Sequence, residues 1–334
     1  MLFRSLPVLA VAATLLISSV QANEPFPAGG IVIDPSADVV VAKEDVYLSV
    51  RQVRVSYVYE SATPQTVAMG FPMPIVPIDG GPDHLGSGTA PSDHTNYAAA
   101  TVTVDGKTVT PKAREFAYFN GVDITEELAA LGIPAYVPDG ETLKSLLSGA
   151  DVAKVDDLVR REIIYRGSYG DPEGVNWQYQ SVLEWDQELA AGTTQVELTY
   201  EPMNGYPGDV NNAYFGEGSE EDAPYIAEVR AFYCIDDALL KALNKKRAEG
   251  AYFDLVWTSF APSAEEKARP VKAFSLVVDK RDTAEWSSGD MDYVAFCPID
   301  AKKIAPLQFE WKAADFRPRD FNLVYYAHNS GASQ

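Results

Sequence analysis

Three histidines, two cysteines and an excess of acids are the side chains of this 334-residue chain whose types and spacing bear on chemistry. Two histidines sit in matching pairs, Asp83-His84 and Asp93-His94, ten residues apart in a stretch rich in Gly, Pro and Ser. Imidazole nitrogen and carboxylate oxygen both suit zinc or copper, so Asp83, His84, Asp93 and His94 form one candidate ligand set. Their spacing matches no rigid pattern, and a flexible loop loses entropy when it is ordered around an ion. Solvated loop residues are the plainer expectation. Asp209, Asn211 and Glu220 form a second set, whose hard oxygens suit calcium. Asp209 to Glu220 spans twelve residues, the length of a calcium loop, yet Tyr214 holds the sixth position, where the turn needs Gly. An acidic surface loop is the plainer expectation there too. No cofactor is expected; calcium or zinc is what these two sets would take.

The cysteines are Cys234 and Cys297. An even count in an exported chain favours pairing, so a Cys234–Cys297 disulfide is expected. It would close a loop of about sixty residues, worth about 4 kcal/mol by the chain-entropy argument. Each cysteine ends an apolar, strand-like run, Phe232-Tyr-Cys234 and Tyr293-Val-Ala-Phe-Cys297, which suggests a buried structural bridge. A catalytic thiol pair would use the Cys-x-x-Cys spacing, which is absent.

No catalytic residue is assigned. The chain has no Gly-x-Ser-x-Gly elbow, no phosphate-binding loop, no dinucleotide fingerprint and no His-Glu-x-x-His. A Ser-His-Asp triad would have to draw on a loop histidine or on His328 near the end, and a base must be held rigidly. Carboxylates are plentiful, but a glycosidase-like pair is defined by separation across a cleft. Trp177, Tyr179 and Trp185 could stack on a sugar, but their alternation with polar residues turns them inward, to a core face.

The elements that must position these groups are mostly strands. Val53, Val55, Tyr57 and Tyr59 alternate with polar residues, as do Trp177 to Trp185, and period two marks half-buried strands. Thr66–Phe71 reads as a strand stopped by Phe71-Pro-Met-Pro74. Asp105-Gly106 between two Thr/Val runs is a tight hairpin. Helices are expected after Asp123, over Glu141–Leu147, over Val152–Ile164 and after Asp236, each with a capping residue or an apolar stripe. Strands follow at Tyr252–Phe260, Val271–Val278, Tyr293–Cys297, Leu307–Trp311 and Phe321–Tyr326. The helices cluster instead of alternating with strands, which argues against parallel crossovers.

The expected architecture is therefore mainly β: an antiparallel β-sandwich, as one large or two packed lobes, with a short helical insertion. Residues 1–22 read as a secretory signal, with Arg4 before an apolar run and small residues at Val20 and Ala22. Residues 23–202 read as an N-terminal lobe with the helical insertion near 121–165, and residues 225–328 as a C-terminal β lobe holding the disulfide. The polar stretch Met203–Pro224 is either linker or excursion. No transmembrane segment is expected once the signal is cut. The formal net charge of −21 repels phosphate backbones, so nucleic acid is not expected as a partner.

The order of these pieces resembles a family of bacterial exported proteins catalogued as domain of unknown function 4424. The likeness rests on Ala28-Gly-Gly-Ile-Val32, Lys43-Glu-Asp-Val-Tyr-Leu48, Val53-Arg-Val-Ser-Tyr57, Phe71-Pro-Met-Pro74, Phe119–Thr125, Leu131-Gly-Ile-Pro134, Glu184–Gly192, Leu198-Thr-Tyr200, Tyr233–Asp237 and Phe296-Cys297. It implies an exported β-sandwich, and it implies no activity, substrate or catalytic residue. The histidine-bearing loop Asp79–Asn96 does not resemble a family motif. The expected function is a non-enzymatic binding module of the cell envelope, periplasmic or extracellular, with an envelope protein or glycan as partner. The alternatives are a carboxylate-based hydrolase of envelope glycans or peptides, and a calcium- or zinc-dependent module.

Overall fold

The computed structural model describes residue 26 and residues 28–78, 93–167, 170–205, 215–280, 291–297 and 301–329. The signal segment, Asp83, His84, Asp209 and Asn211 lie outside the described residues. Strands β1 (Val32–Ile33), β2 (Val39–Leu48), β3 (Val53–Ser61), β4 (Gln65–Pro72), β5 (Val76–Pro77), β6 (Thr101–Val104), β7 (Lys107–Val109), β8 (Lys112–Phe119) and β9 (Val122–Asp123) come first. Helices α1 (Thr125–Ala129), α2 (Gly140–Leu147) and α3 (Val152–Arg160) follow, then β10 (Ile164–Arg166), β11 (Pro172–Val175), β12 (Gln178–Leu189) and β13 (Gly192–Tyr200). The remainder is α4 (Ala223–Phe232), α5 (Asp237–Ala248), β14 (Tyr252–Phe260), α6 (Ala264–Ala268), β15 (Val271–Asp279), β16 (Met291–Cys297), β17 (Lys302–Ala305), β18 (Gln308–Phe316) and β19 (Phe321–Asn329).

An eight-stranded sheet, ordered β17-β18-β15-β2-β3-β13-β6-β7, shares one apolar core with a six-stranded sheet ordered β1-β4-β12-β8-β9, in which β5 also pairs β12. Val46, Val53, Val55 and Leu198 enter that core from the first sheet; Met69, Phe71, Tyr179 and Leu183 enter it from the second. The sandwich is thus mainly β, as its patterning implies. Strand β12 keeps strict alternation, and Trp177, Tyr179 and Trp185 all point inward. Asp105 (φ 48°) and Gly106 (φ 75°) make the expected tight turn between β6 and β7.

The helical insertion is present as α1, α2 and α3. Asp139 accepts from Thr142 N–H at 2.7 Å and Asp151 from Ala153 N–H at 3.0 Å, capping α2 and α3. Leu128, Leu143 and Leu158 bury the insertion against the main core, and the Trp177 indole donates to the Ala135 carbonyl at 2.7 Å. The last of these helices ends at Arg160 rather than Ile164; Ile163 and Ile164 turn into the core, with Ile164 opening β10.

Three further features go beyond the sequence reading, and the second corrects it. First, one ladder is parallel: β15 runs alongside β2 from Val271↔Val41 to Val278↔Leu48. Strands from both sides of the 203–224 stretch therefore complete one sheet. Second, the run ending in Cys234 is helical. Pro224 in the first turn of α4 and the Ser219–Asp222 capping box before it start a helix where polarity suggested only loop. Third, Cys234 itself takes the left-handed conformation (φ 58°) that closes α4, with Ile235 N–H bonded back to the Arg230 carbonyl at 2.8 Å.

A three-stranded sheet, β14-β19-β16, is covered on both faces. Val256, Phe260, Phe321 and Leu323 join the main core; Phe253, Leu255, Trp257, Val324 and Tyr326 build a second core with Val229 of α4 and Leu243 of α5. No helix among the described residues is long and apolar enough to cross a membrane.

Candidate binding groove

The outer face of the eight-stranded sheet holds an open groove of about 1100 Å³. Its floor comes from registered rows. One row runs Lys312, Ser275, Asp45, Ser56, Glu197 across β18, β15, β2, β3 and β13. The next runs Glu310, Val277, Tyr47, Arg54. Small side chains at Ala273, Ser275 and Ala314 leave the space, and longer ones at Lys43, Arg54 and Lys312 wall it.

The polar groups of this floor are already organised. The Ser275 hydroxyl donates to Asp45 Oδ1 at 2.6 Å, and Lys43 is ion-paired with the other oxygen of the same carboxylate. Ser56 donates to Glu197 Oε2 at 3.1 Å, and Lys312 pairs with Glu310 at 2.9 Å. Arg54 lies over the Tyr47 ring at 5.2 Å. The Tyr47 hydroxyl donates to the buried Asp279 carboxylate at 3.1 Å, which also accepts from Gln308 at 2.6 Å. Three cations (Lys43, Arg54, Lys312) face three acids (Asp45, Glu197, Glu310), so the lining is balanced on a chain that is otherwise strongly acidic.

Of the residues singled out in the sequence, Asp93, His94, Glu220 and Cys234 have described side chains. Asp93 caps a short turn, accepting from Thr95 N–H at 2.8 Å and its hydroxyl at 2.6 Å, bonds that hold its carboxyl below the usual range. His94 meets neither Asp93 nor a metal-like cluster. Its Nε2 lies 3.2 Å from Glu115 Oε1, and its ring stacks on Tyr136 at 4.4 Å. The buried Tyr179 hydroxyl donates its one hydrogen to Glu115 Oε1 at 2.9 Å, and the His94 carbonyl oxygen lies 3.1 Å away as the alternative acceptor. Burial, then the Glu115 charge, pushes the Tyr179 phenol far up, so it stays a donor. Glu220 stands exposed in the turn before α4. Among the described residues no group of three or more His, Cys, Asp or Glu side chains converges as metal ligands would.

The Cys234 sulfur lies 4.0 Å from the Asn322 carbonyl oxygen, and Cys297 stands opposite Asn322 in the β16–β19 ladder. No described cysteine is free. Sequence reading missed the groove, because its rows join residues more than two hundred positions apart. It also missed Glu115, which lies in a run of charged and aromatic residues with no period of its own.

The profile of a family described as Domain of unknown function (DUF4424) matches residues 23–323. No curated protein matches the chain. Among solved structures, a "putative nutrient binding protein" of Legionella pneumophila subsp. pneumophila str. Philadelphia 1 is similar at 11% identity with a TM-score of 0.40, covering 90% of this chain and 71% of that one. A likeness at that level carries no functional argument.

Proposed function

Because the chain belongs to the DUF4424 family, to which no activity is assigned, we propose that it is a non-enzymatic binding module of the bacterial cell envelope. It is exported by residues 1–22, and a Cys234–Cys297 disulfide staples it. It takes a polar envelope protein or glycan in the groove of the eight-stranded sheet. The single observation that carries this reading is the groove, whose volume matches or exceeds that of ordinary ligand sites. Its lining is polar where small-molecule pockets are mostly apolar, which favours a partner rich in hydroxyls or amides. Pre-paired charges in register hold their geometry without a ligand and lose little freedom on binding.

The disulfide is supported by the convergence of both cysteines on Asn322 and by the absence of a free described thiol. The leader is supported by the apolar run and its small residues before Asn23.

The test is affinity capture, after in-cell crosslinking, of the tagged mature chain and of its Ala273→Trp and Ala314→Trp variants. Both alanines are exposed on the groove floor, so the indole fills the space without touching the core. A stoichiometric partner lost in both variants, at unchanged melting temperature, is the expected result. Undiminished capture by both variants removes the groove from the reading.

A hydrolase is the second reading, favoured by three carboxylates in one groove. Each already accepts a hydrogen bond or ion pair from a neighbour. Turnover of a cell-wall glycan or peptide that is abolished by Asp45→Asn or Glu197→Gln would replace the first reading with this one.

A further inference from the structure

The inward face of β2 carries one acid. A bulge between Val41 and Lys43 turns Glu44 to the side of Val46 and Leu48, where it is 2% exposed. It lines a cavity of about 20 Å³ between β2, β3 and the segment around α6. The titratable and charged groups facing it are Tyr57 and Tyr59 of β3, Glu265 and Glu266 of α6, and Arg269 just beyond; the Asp45 charge acts on it from the opposite face of β2.

Most of these are engaged elsewhere. Arg269 donates to the carbonyls of Asp34 at 2.8 Å and Val39 at 3.2 Å. Glu266 Oε1 accepts from Gly30 N–H at 3.0 Å and from the Tyr57 hydroxyl at 3.3 Å; its Oε2 accepts from Ser263 N–H at 2.7 Å. The Tyr57 hydroxyl in turn accepts from Ile31 N–H at 3.1 Å. Two buried polar atoms on the cavity have no partner: Glu44 Oε1 and the Tyr59 hydroxyl.

A cavity of this size has room for one water, and a buried water needs two or more polar partners. The two orphan oxygens meet that requirement, and a volume of about 20 Å³ leaves no room for a second water. The nearby Arg269 guanidinium disfavours a metal ion.

We propose that this cavity binds one water molecule between Glu44 and Tyr59, and that the site is a proton-operated lock on the segment Ala28–Ile33. With Glu44 as the neutral acid, its hydroxyl and the water complete the cavity. Burial first, then the Glu266 and Asp45 charges, push the Glu44 carboxyl well above its ordinary range, so the acid form persists in the fold. When the proton leaves to bulk water, a negative charge appears beside Glu266, the group that holds Gly30 and whose own carboxyl burial raises against the lowering bonds from Ser263, Gly30 and Tyr57. The wall held by that carboxylate then yields. That wall is the strap at Gly30, whose other ties are the Tyr200 hydroxyl to the Ala28 and Gly29 carbonyls at 3.1 and 3.0 Å, Ala261 N–H to the Ala28 carbonyl at 3.0 Å, Ile31 N–H to Tyr57, and the register pairs Val32↔Gly70 and Ile33↔Met69.

The sign follows from linkage. The folded chain holds a proton that the unfolded chain releases near the ordinary carboxyl range, so stability falls as pH rises above that range. The fall is up to tenfold in the folding constant per pH unit, until the folded value is passed. The first experiment compares thermal and urea unfolding of the parent and Glu44→Gln between pH 4.5 and pH 9. Near-parity at the acid end and a gain for Glu44→Gln that widens with pH are expected; a gap independent of pH overturns the lock. In the parent alone, protection of the Gly30 and Ile31 amides from exchange, corrected for intrinsic rate, should fall with pH more steeply than that of β12 amides, which follows global stability. Parallel behaviour of the two overturns it as well, whether or not the variant folds. A crystal structure should place one water within hydrogen-bond reach of Glu44 Oε1 and the Tyr59 hydroxyl. A metal-length contact there, or density absent at high resolution, overturns the binding site.

Discussion

At the scale of single residues, the strap shows how closely backbone and side chain meet. A Cβ on Gly30 would lie 1.6 Å from the Tyr57 hydroxyl, the same oxygen that accepts from Ile31. Gly30→Ala should therefore cost about 2–3 kcal/mol, through overpacking and a displaced buried hydrogen bond, read as a lower urea midpoint at unchanged slope. Cys234 poses a sharper question. It occupies a left-handed position that Gly takes without strain. If its sulfur only filled space, Cys234→Gly would be neutral or stabilising. With a bridge to Cys297, Cys234→Gly and Cys234→Ser both lose about 4 kcal/mol under oxidising conditions, and the parent falls to their level in reductant. Equal melting of all three before reduction would refute the bridge. The cysteine count made a pair the expectation, and this comparison tests it. The helical setting of Cys234 was not legible, because Phe232-Tyr-Cys is apolar at every position and a short apolar run does not declare its period. Pro224 was the stronger signal, since proline at a helix start costs no hydrogen bond.

At the scale of elements, the alternating strands were the most legible part, and β12 and β3 carry their faces as written. Glu44 was hidden by a change of phase. Val39 and Val41 set one parity in β2, Val46 and Leu48 the other, and the bulge between them lets both pairs face inward. A uniform period of two places one of those pairs outside. The helical insertion was legible from its caps, since Asp139 and Asp151 act where Asp before a helix should. Its docking was not, because the contact that fastens it joins Trp177 to the carbonyl of Ala135 across more than forty residues. Trp177→Phe keeps an aromatic ring and removes that bond. We expect a loss of about 1–2 kcal/mol, with earlier protease cleavage in the turn between α2 and α3 than elsewhere. An unchanged cleavage pattern would mean that the insertion is held by Leu128, Leu143 and Leu158 alone.

At the scale of the whole molecule, the parallel ladder between β2 and β15 decides the organisation. A division into lobes was legible only as a polar stretch at 203–224, and polarity marks a surface crossing without saying which strands meet beyond it. Here the chain returns, and Val271–Val278 pairs with a strand made more than two hundred residues earlier. Such non-local pairing slows folding, because closure entropy precedes the contacts that offset it. Refolding from urea should be slow, and a chain ending before Val271 should leave β2 as an open sheet edge and fail to give a cooperative transition.

The same ladder makes the protein divisible. If the backbone were cut between Gly205 and Phe215, one piece would carry β2 with its free edge and the other β15 with the matching edge. Neither piece could cover its apolar face alone, yet each presents the template the other lacks. Expressed together, with a reporter half fused to each, the two fragments would be a complementation pair whose signal depends on the closing of one strand-to-strand seam.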